Sequence, residues 1–129
     1  MVDVNRSVGS RAPVQVAAVG KLMLGLAGED EIESYARRTN LPAYTRNTLS
    51  SLSKLEEVCM TSIRQGYSLD NEEAEIGVGC IGVLLFEKSG NVSAGLSISA
   101  PIERRKNEWI GELKKAGEEI SRHLGYRPG

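Results

Sequence analysis

Two neighbouring apolar segments near the middle of the chain constrain the fold most. Residues 78–86 form a nearly unbroken apolar run, and residues 92–99 form a second run in which apolar and small polar residues alternate. The segment between them is charged and contains Gly90 and Asn91, residue types that are typical of tight turns. The sequence therefore predicts an antiparallel β-hairpin at this point.

The register of this hairpin determines which side chains share a face. If the turn has two central residues, Cys80 lies opposite Ser99, and Gly82 lies opposite Ser97. Both serines and Cys80 then share one face with Gly82 and Gly95, and the two glycines leave a small polar hollow. The other face is apolar and is predicted to be core; it carries Ile81, Val83, Leu85, Ala94, Leu96 and Ile98. A turn of odd length would break this alignment.

The polar face has two interpretations. Small polar residues in strands often bond only to backbone or water, and a buried cysteine usually serves packing. A hollow with a few convergent polar groups is also the usual form of a small-ligand site. The hairpin by itself leaves both interpretations open.

Composition excludes several classes of protein. The length of 129 residues fits one domain, and a formal net charge of −1 lacks the basic excess of a free-standing nucleic-acid binder. The apolar runs are shorter than the roughly 20 residues of a membrane span, and the first residues do not resemble a signal peptide. Two cysteines without zinc or redox spacing fit a reducing compartment. We therefore expect a cytoplasmic protein without a membrane segment.

The remaining elements follow from periodicity and from helix-end residues. Weak alternation predicts a strand over residues 2–8. Small apolar residues predict a helix over 16–26, and a charged segment with Ile32 and Tyr35 on one face predicts a helix over 29–38. Apolar residues at intervals of three and four predict helices over 51–65 and 104–124. Ser51 and Gly66 are suitable caps for the third of these helices. The last helix is predicted to face inward through Trp109, Leu113, Ala116, Ile120 and Leu124.

Other residues suggest no chemistry. Cys59 lies on an apolar helix stripe and is expected to pack, and the single histidine, His123, lies at a predicted helix end without a nucleophile beside it. The carboxylates of residues 71–75 lack partners at metal-ligand spacing and are expected to form a solvated loop. No metal site and no cofactor are predicted.

Three motifs occur in order along the chain. They are Ala12-Pro13-Val14-Gln15 leading to Ala18-Val19-Gly20-Lys21, then Thr45-Arg46-Asn47-Thr48-Leu49, and finally Gly66-Tyr67-Ser68-Leu69-Asp70-Asn71-Glu72-Glu73 with Gly77-Val78-Gly79-Cys80-Ile81 and Leu96-Ser97-Ile98-Ser99-Ala100-Pro101. Together they resemble the effector-binding domain of IclR-type transcription regulators over almost the whole chain.

The resemblance implies a fold and a site. The fold is α/β, more specifically α+β, with a GAF/PAS-like antiparallel sheet flanked by helices, and residues 1–129 form a single effector-binding domain. The resemblance further implies that the domain binds a small organic-acid metabolite, either a carboxylate or an oxo-acid. Carried over by motif, the ligand-binding residues are Ala18 and Val19 through their backbone N–H groups, and Asp70, Cys80, Ser97 and Ser99.

The resemblance also implies partners that this chain does not contain. Regulators of this type bind DNA through an N-terminal winged helix-turn-helix and act as dimers or tetramers. No helix-turn-helix is recognised here, and the sequence resembles a domain that begins partway, so a truncated N-terminus is expected. The family often has glycine where Ala18 stands, which could narrow an anion site.

Two alternatives remain. One is a GAF-like module without a ligand that serves protein interaction or oligomerisation. The other is a small hydrolase using Cys80, which would need a base within hydrogen-bond reach. His123 lies on a distant helix, so we expect that the chain is not an enzyme.

Overall fold

Antiparallel pairing organises the centre of the molecule. The computed structural model describes residues 13–128, and the strand predicted over residues 2–8 lies outside them. Strands β1 (Ser68–Asn71), β2 (Val78–Phe86) and β3 (Val92–Pro101) form a sheet in the order β1-β2-β3. Both strand pairs are antiparallel, which confirms the antiparallel sheet expected from the sequence.

The hairpin has the predicted register but a different turn. Cys80 pairs with Ser99 and Gly82 with Ser97, as expected. The connection covers residues 87–91, an odd number, and closes with hydrogen bonds from the Gly90 N–H to the Glu87 carbonyl (2.8 Å) and from the Glu87 N–H back to Asn91 (2.9 Å).

A β-bulge reconciles the odd turn with the register. Phe86 pairs with Val92 and Leu85 pairs with Ala94, so Ser93 is an extra residue on β3. One inserted residue shifts the pairing by one position. The bulge therefore offsets the odd loop, and beyond it the polar residues align as predicted.

Four helices surround the sheet, namely α1 (Ala18–Ala27), α2 (Glu29–Thr39), α3 (Leu52–Gln65) and α4 (Glu108–His123). The Ser51 hydroxyl accepts the Lys54 N–H at the start of α3, and Gly66 ends this helix with φ 83°, which confirms both predicted caps. Gly28, with φ 103°, separates α1 from α2.

Two predicted helix starts are displaced. Val14–Val16 form a short 3-10 turn, so α1 begins at Ala18 instead of residue 16. Ile102–Arg104 form a second 3-10 turn, and α4 begins at Glu108 instead of residue 104. The reason at the second site is a tertiary hydrogen bond, because the Ile102 N–H donates to the Gly77 carbonyl (2.8 Å) and holds this segment against the sheet.

Helix α4 covers one face of the sheet. The buried residues of this interface are Ile81 and Val83 on β2 and Leu113 on α4. The helix comes close to the sheet at Gly117, where an added Cβ would lie 3.0 Å from the Val83 side chain. The inward orientation predicted for Ile120 and Leu124 is wrong, since they are 37% and 42% exposed.

The end of α4 turns small residues toward the sheet instead. Gly117 and Ser121 are buried there, and the Ser121 hydroxyl accepts the Phe86 N–H at 3.0 Å. The periodicity of apolar residues cannot predict a polar contact of this kind.

On strand β3, Ala94 was predicted to be core, but it is exposed near the bulge.

Helices α1, α2 and α3 form a second core on the other side of the sheet. It contains Leu24, Ile32, Leu41, Leu55 and Cys59. Helix α1 approaches α3 very closely at Gly25, where an added Cβ would lie 2.4 Å from the Cys59 carbonyl oxygen. This contact fixes α1 between α3 and the sheet.

Candidate functional site

Three predicted site residues lie side by side across the sheet. Asp70 pairs with Cys80, and Cys80 pairs with Ser99, so the three form one row across β1, β2 and β3. Residues directly opposite each other in a sheet point to the same face. The Cys80 sulfur and the Ser99 hydroxyl are 3.1 Å apart.

A second row lies beside the first on the same face. It consists of Ser68, Gly82 and Ser97. Ser68 is fully buried and within 3.2 Å of the Ser62 hydroxyl on α3, whereas Ser97 is exposed. The sheet therefore brings Ser97 next to the Cys80–Ser99 pair.

The first turn of α1 rests on the glycines of this face. A Cβ on Gly82 would lie 3.0 Å from both the Val19 nitrogen and the Ala18 Cβ, and one on Gly95 would lie 2.3 Å from Val19 Cγ1. Side chains at these two positions would displace the helix. The glycines thus admit the N-terminus of α1, and the Val19 side chain covers much of the hollow predicted above them.

The N-terminus of α1 has the electrostatics of an anion site. No side chain caps the helix at Ala17, and its first turn holds no acidic residue. The first N–H groups of a helix lack intrahelical acceptors and carry the positive end of the helix dipole. Ala18 and Val19 supply two of these groups, and they are held against the face that carries Cys80 and Ser97.

Asp70 is buried, and it contacts the loop of residues 71–75, which was predicted to be solvated. Its Oδ1 accepts the Glu73 N–H at 2.8 Å, and its side chain shares the face of Cys80. Glu73 is only 5% exposed, so the prediction of a solvated loop is wrong for this residue. A tertiary ion pair explains the difference.

That ion pair joins the β1–β2 loop to helix α1. The Lys21 ammonium, with a side chain that is 0% exposed, lies 2.6 Å from Glu73 Oε1 and also donates to the Leu69 carbonyl. The second carboxylate oxygen of Glu73 accepts the Asn71 N–H at 3.0 Å. Buried charges persist in proteins when they are paired and hydrogen-bonded in this way.

The threonine motif holds the same loop from the other side. The Thr48 hydroxyl donates to the Glu73 carbonyl at 2.7 Å and accepts the Tyr44 and Thr45 N–H groups, and the Thr45 hydroxyl donates to the Glu72 carbonyl at 2.6 Å. The motif therefore connects the segment before α3 to the β1–β2 loop that carries Glu73.

Arg105 binds the backbone of the two strands that carry Asp70 and Cys80. Its guanidinium donates to the Asp70 and Cys80 carbonyls at 3.0 and 3.3 Å and to the Asn71 side chain. It lies beside Gly79, where an added Cβ would approach the arginine within 3.1 Å. The segment expected to begin a helix thus serves instead to fix the strands that carry Asp70 and Cys80.

The assembled site is open on the side of β3. Ser97 and Ser99 are exposed, and Cys80 is half-buried. Two clefts of about 540 and 580 Å³ lie elsewhere, one between α3 and the β1–β2 loop and the other beside α4. In the part of the chain that the structure describes, the site is thus a shelf at the α1 N-terminus.

Three residues of this site were not predicted from the sequence, namely Lys21, Glu73 and Arg105. A signal for Lys21 was present, because it is the single charged residue between 13 and 27 and a lone charge in an apolar helix needs a buried partner. No local pattern indicated which carboxylate would supply it. Arg105 reaches its acceptors only through the three-dimensional fold.

Residues 13–128 contain no cluster of three or more histidine, cysteine, aspartate and glutamate side chains able to hold a metal ion. Within the same residues, every helix is too short or too polar to cross a bilayer.

Comparison with known proteins identifies the family. Residues 1–123 match the family described as "Bacterial transcriptional regulator IclR C-terminal". The Escherichia coli K12 regulator KdgR is 37% identical over 92% of this chain and 47% of its own length. The chain spans about half the length of the curated relatives it matches.

Solved structures agree with this assignment. The Agobacterium tumefaciens repressor BlcR has a TM-score of 0.84 at 30% identity and covers 95% of this chain and 52% of its own. An IclR homologue from Microbacterium hydrocarbonoxydans, solved in complex with 4-hydroxybenzoate, has a TM-score of 0.85 at 24% identity over 95% and 50%; it supports the fold alone. The chain belongs to the IclR family of bacterial transcriptional regulators and carries the C-terminal domain of that family.

Proposed function

We propose that this chain is the effector-sensing domain of an IclR-family transcription regulator and that it binds a small carboxylate or oxo-acid. The observation that carries the proposal is the uncapped N-terminus of α1, held against the sheet face of Cys80, Ser97 and Ser99 by close approach at Gly82 and Gly95.

The chemistry assigns a role to each group. The Ala18 and Val19 N–H groups and the helix dipole attract the carboxylate, and the Ser97 and Ser99 hydroxyls donate further hydrogen bonds. Asp70 accepts a hydroxyl or a protonated group of the ligand, and Cys80 contributes a weak thiol donor. In this proposal the site binds its ligand and carries out no reaction on it.

The output of binding belongs to the whole regulator. In this proposal a winged helix-turn-helix outside this chain contacts DNA, and the effector changes DNA affinity through a coupling between the two sites. Self-association as a dimer or tetramer and a cytoplasmic location complete the proposal. The complex of the Microbacterium homologue with 4-hydroxybenzoate makes aromatic acids a second ligand class to test.

The test is a thermal-shift panel that separates charge from shape. Acetate, glyoxylate, pyruvate and 4-hydroxybenzoate are compared with neutral partners such as methyl pyruvate. An acid at a hundred times its Kd stabilises the fold by about 2.7 kcal/mol. We expect the acid to shift Tm, the neutral partner to have little effect, and S99A to abolish the shift.

Ser93 offers the matched control. It is an exposed serine on the same strand, at the bulge, so S93A should retain the full ligand shift. Equal shifts with the acid and its ester would contradict an anion site. A flat response to every acid would favour the second candidate, a GAF-like interaction module without a ligand, which the coverage of Gly82 and Gly95 by Val19 also supports.

A further inference from the structure

We propose that Lys21 and Glu73 are positioning residues of the effector site, which hold the Asp70 carboxylate at a fixed orientation to the N-terminus of α1. The inference rests on the proposed function, since it concerns how two of the ligand-binding elements are kept in place. It assigns a purpose to the buried ion pair between a helix and a loop.

A continuous chain of contacts connects the two elements. Lys21 lies one turn into α1, on the helix whose first N–H groups form the anion site. Its ammonium lies 2.6 Å from Glu73 Oε1, and the Glu73 N–H donates to Asp70 Oδ1 at 2.8 Å. Any movement of α1 relative to β1 therefore acts on the Asp70 carboxylate through Glu73.

Hydrogen bonds fix both the side chain and the backbone of Glu73. Its second carboxylate oxygen accepts the Asn71 N–H at 3.0 Å, and its carbonyl accepts the Thr48 hydroxyl at 2.7 Å. The backbone N–H that binds Asp70 consequently has little freedom to turn. Because this N–H occupies one oxygen of Asp70, it sets the direction of the whole carboxylate.

Stability alone does not account for such a pair. Replacing a buried ion pair by uncharged groups of similar volume is often neutral for folding, so selection for stability does not require the charges. Two directional hydrogen bonds on Lys21, to Glu73 and to the Leu69 carbonyl, do fix geometry. We expect them to preserve the geometry of the site more than the fold itself.

The experiment uses the double variant K21M/E73Q in the 129-residue chain, which removes both charges while nearly preserving the side-chain volumes. The matched control is K54M/E57Q, which neutralises the exposed ion pair between Lys54 and Glu57 on α3. Amide hydrogen exchange is followed by NMR at Glu73, whose N–H reports on Asp70, and at Leu55 and Leu113, which report on the two cores. Pyruvate is titrated as the probe, with the Ala18 and Val19 amides as reporters.

In K21M/E73Q we expect exchange of the backbone amide at position 73 to accelerate at least tenfold, with protection at Leu55 and Leu113 unchanged and pyruvate binding weakened at least tenfold. The surface control should match the parent in all three. Unchanged exchange at Glu73 overturns the positioning role. Loss of protection throughout the cores overturns it too, because the pair would then serve the fold.

The two proposals fail separately. Absence of any pyruvate-induced change in the parent counts against this acid as an effector, while exchange at Glu73 still decides whether the ion pair positions Asp70. Parent-like pyruvate affinity in a K21M/E73Q chain whose amide at position 73 has lost protection shows that binding does not depend on this geometry, and it overturns the further inference alone.

Discussion

The two faces of the sheet are packed in different ways. Toward α4, the apolar residues Ile81 and Val83 meet Leu113, and the interior is closed by side-chain volume. Toward α1, the sheet offers glycines, hydroxyls and a thiol, and the helix is placed by backbone contact and by the Lys21–Glu73 pair. Side-chain volume therefore stabilises one face of the sheet, whereas directional polar contacts position the helix on the other.

Removing Lys21 should have the largest effect on stability. K21M leaves the Glu73 carboxylate buried without its partner, and breaking a buried pair in this way costs about 3–5 kcal/mol. Urea unfolding measures the loss. K54M, at the exposed pair with Glu57, should cost less than about 1 kcal/mol because surface pairs contribute little. Equal losses in the two variants would refute the contrast between buried and exposed charge.

Leu113 tests the volume-packed face. This side chain is 5% exposed and packs on Ile81 and Val83, so L113A should destabilise the chain by about 3 kcal/mol through lost burial and a cavity. Urea unfolding of L113M provides the control, since a swap of similar volume usually costs under about 1.5 kcal/mol. Comparable losses in both variants would mean that volume does not govern this face.

On the volume-packed face, the core positions Ile81 and Val83 were predicted correctly because alternation along a strand directly reports burial, whereas Ala94 on the same face is exposed. The same alternation placed Cys80, Ser97 and Ser99 together correctly, although the turn has odd length. The alignment depends on the bulge at Ser93, for which the sequence offered no signal. The predicted register was therefore correct only because two unpredicted features, the odd turn and the bulge, offset each other.

The supports of the site could not be predicted in the same way. Arg105 and the partner of Glu73 lie far in sequence from the residues that they contact. Nothing in the acidic run of residues 71–75 distinguishes the buried carboxylate of Glu73 from the half-buried Glu72 and Glu75. The resemblance to the IclR family located the candidate ligand-binding residues, but no motif assigned a partner to Lys21. Polar contacts across the fold depend on tertiary geometry, which local patterns do not encode.

The buried thiol of Cys59 makes the stability of the fold depend on pH. It is fully buried beside α1, and burial raises the pKa of its thiol from 9.0 to about 11, with Lys21 opposing the shift and Glu73 adding to it. As the pH rises, the thiol ionises in the unfolded chain before it ionises in the folded chain. The folded state therefore keeps its full stability below pH 9 and loses part of it as the pH rises toward 11. The loss amounts to about 2–3 kcal/mol.

Urea unfolding between pH 8 and pH 11 measures this component as the difference between the parent chain and C59A. The difference is necessary because tyrosines and lysines titrate in the same range. We expect the parent to lose more stability than C59A over this interval. Parallel pH profiles would show that the Cys59 thiol ionises as readily in the folded chain as in the unfolded one.

The smallest effect on stability is expected at the serines that the ligand is proposed to contact. Ser99 is exposed, and its hydroxyl lies 3.1 Å from the Cys80 sulfur, so S99A should change the free energy of unfolding by less than about 0.5 kcal/mol. The measurement is urea unfolding without ligand, beside S93A. This near-neutrality gives the binding test its meaning, because a ligand shift lost in S99A is then a lost contact and not a damaged fold. A destabilisation close to that of L113A would instead show that the polar face, like the face toward α4, is needed for folding.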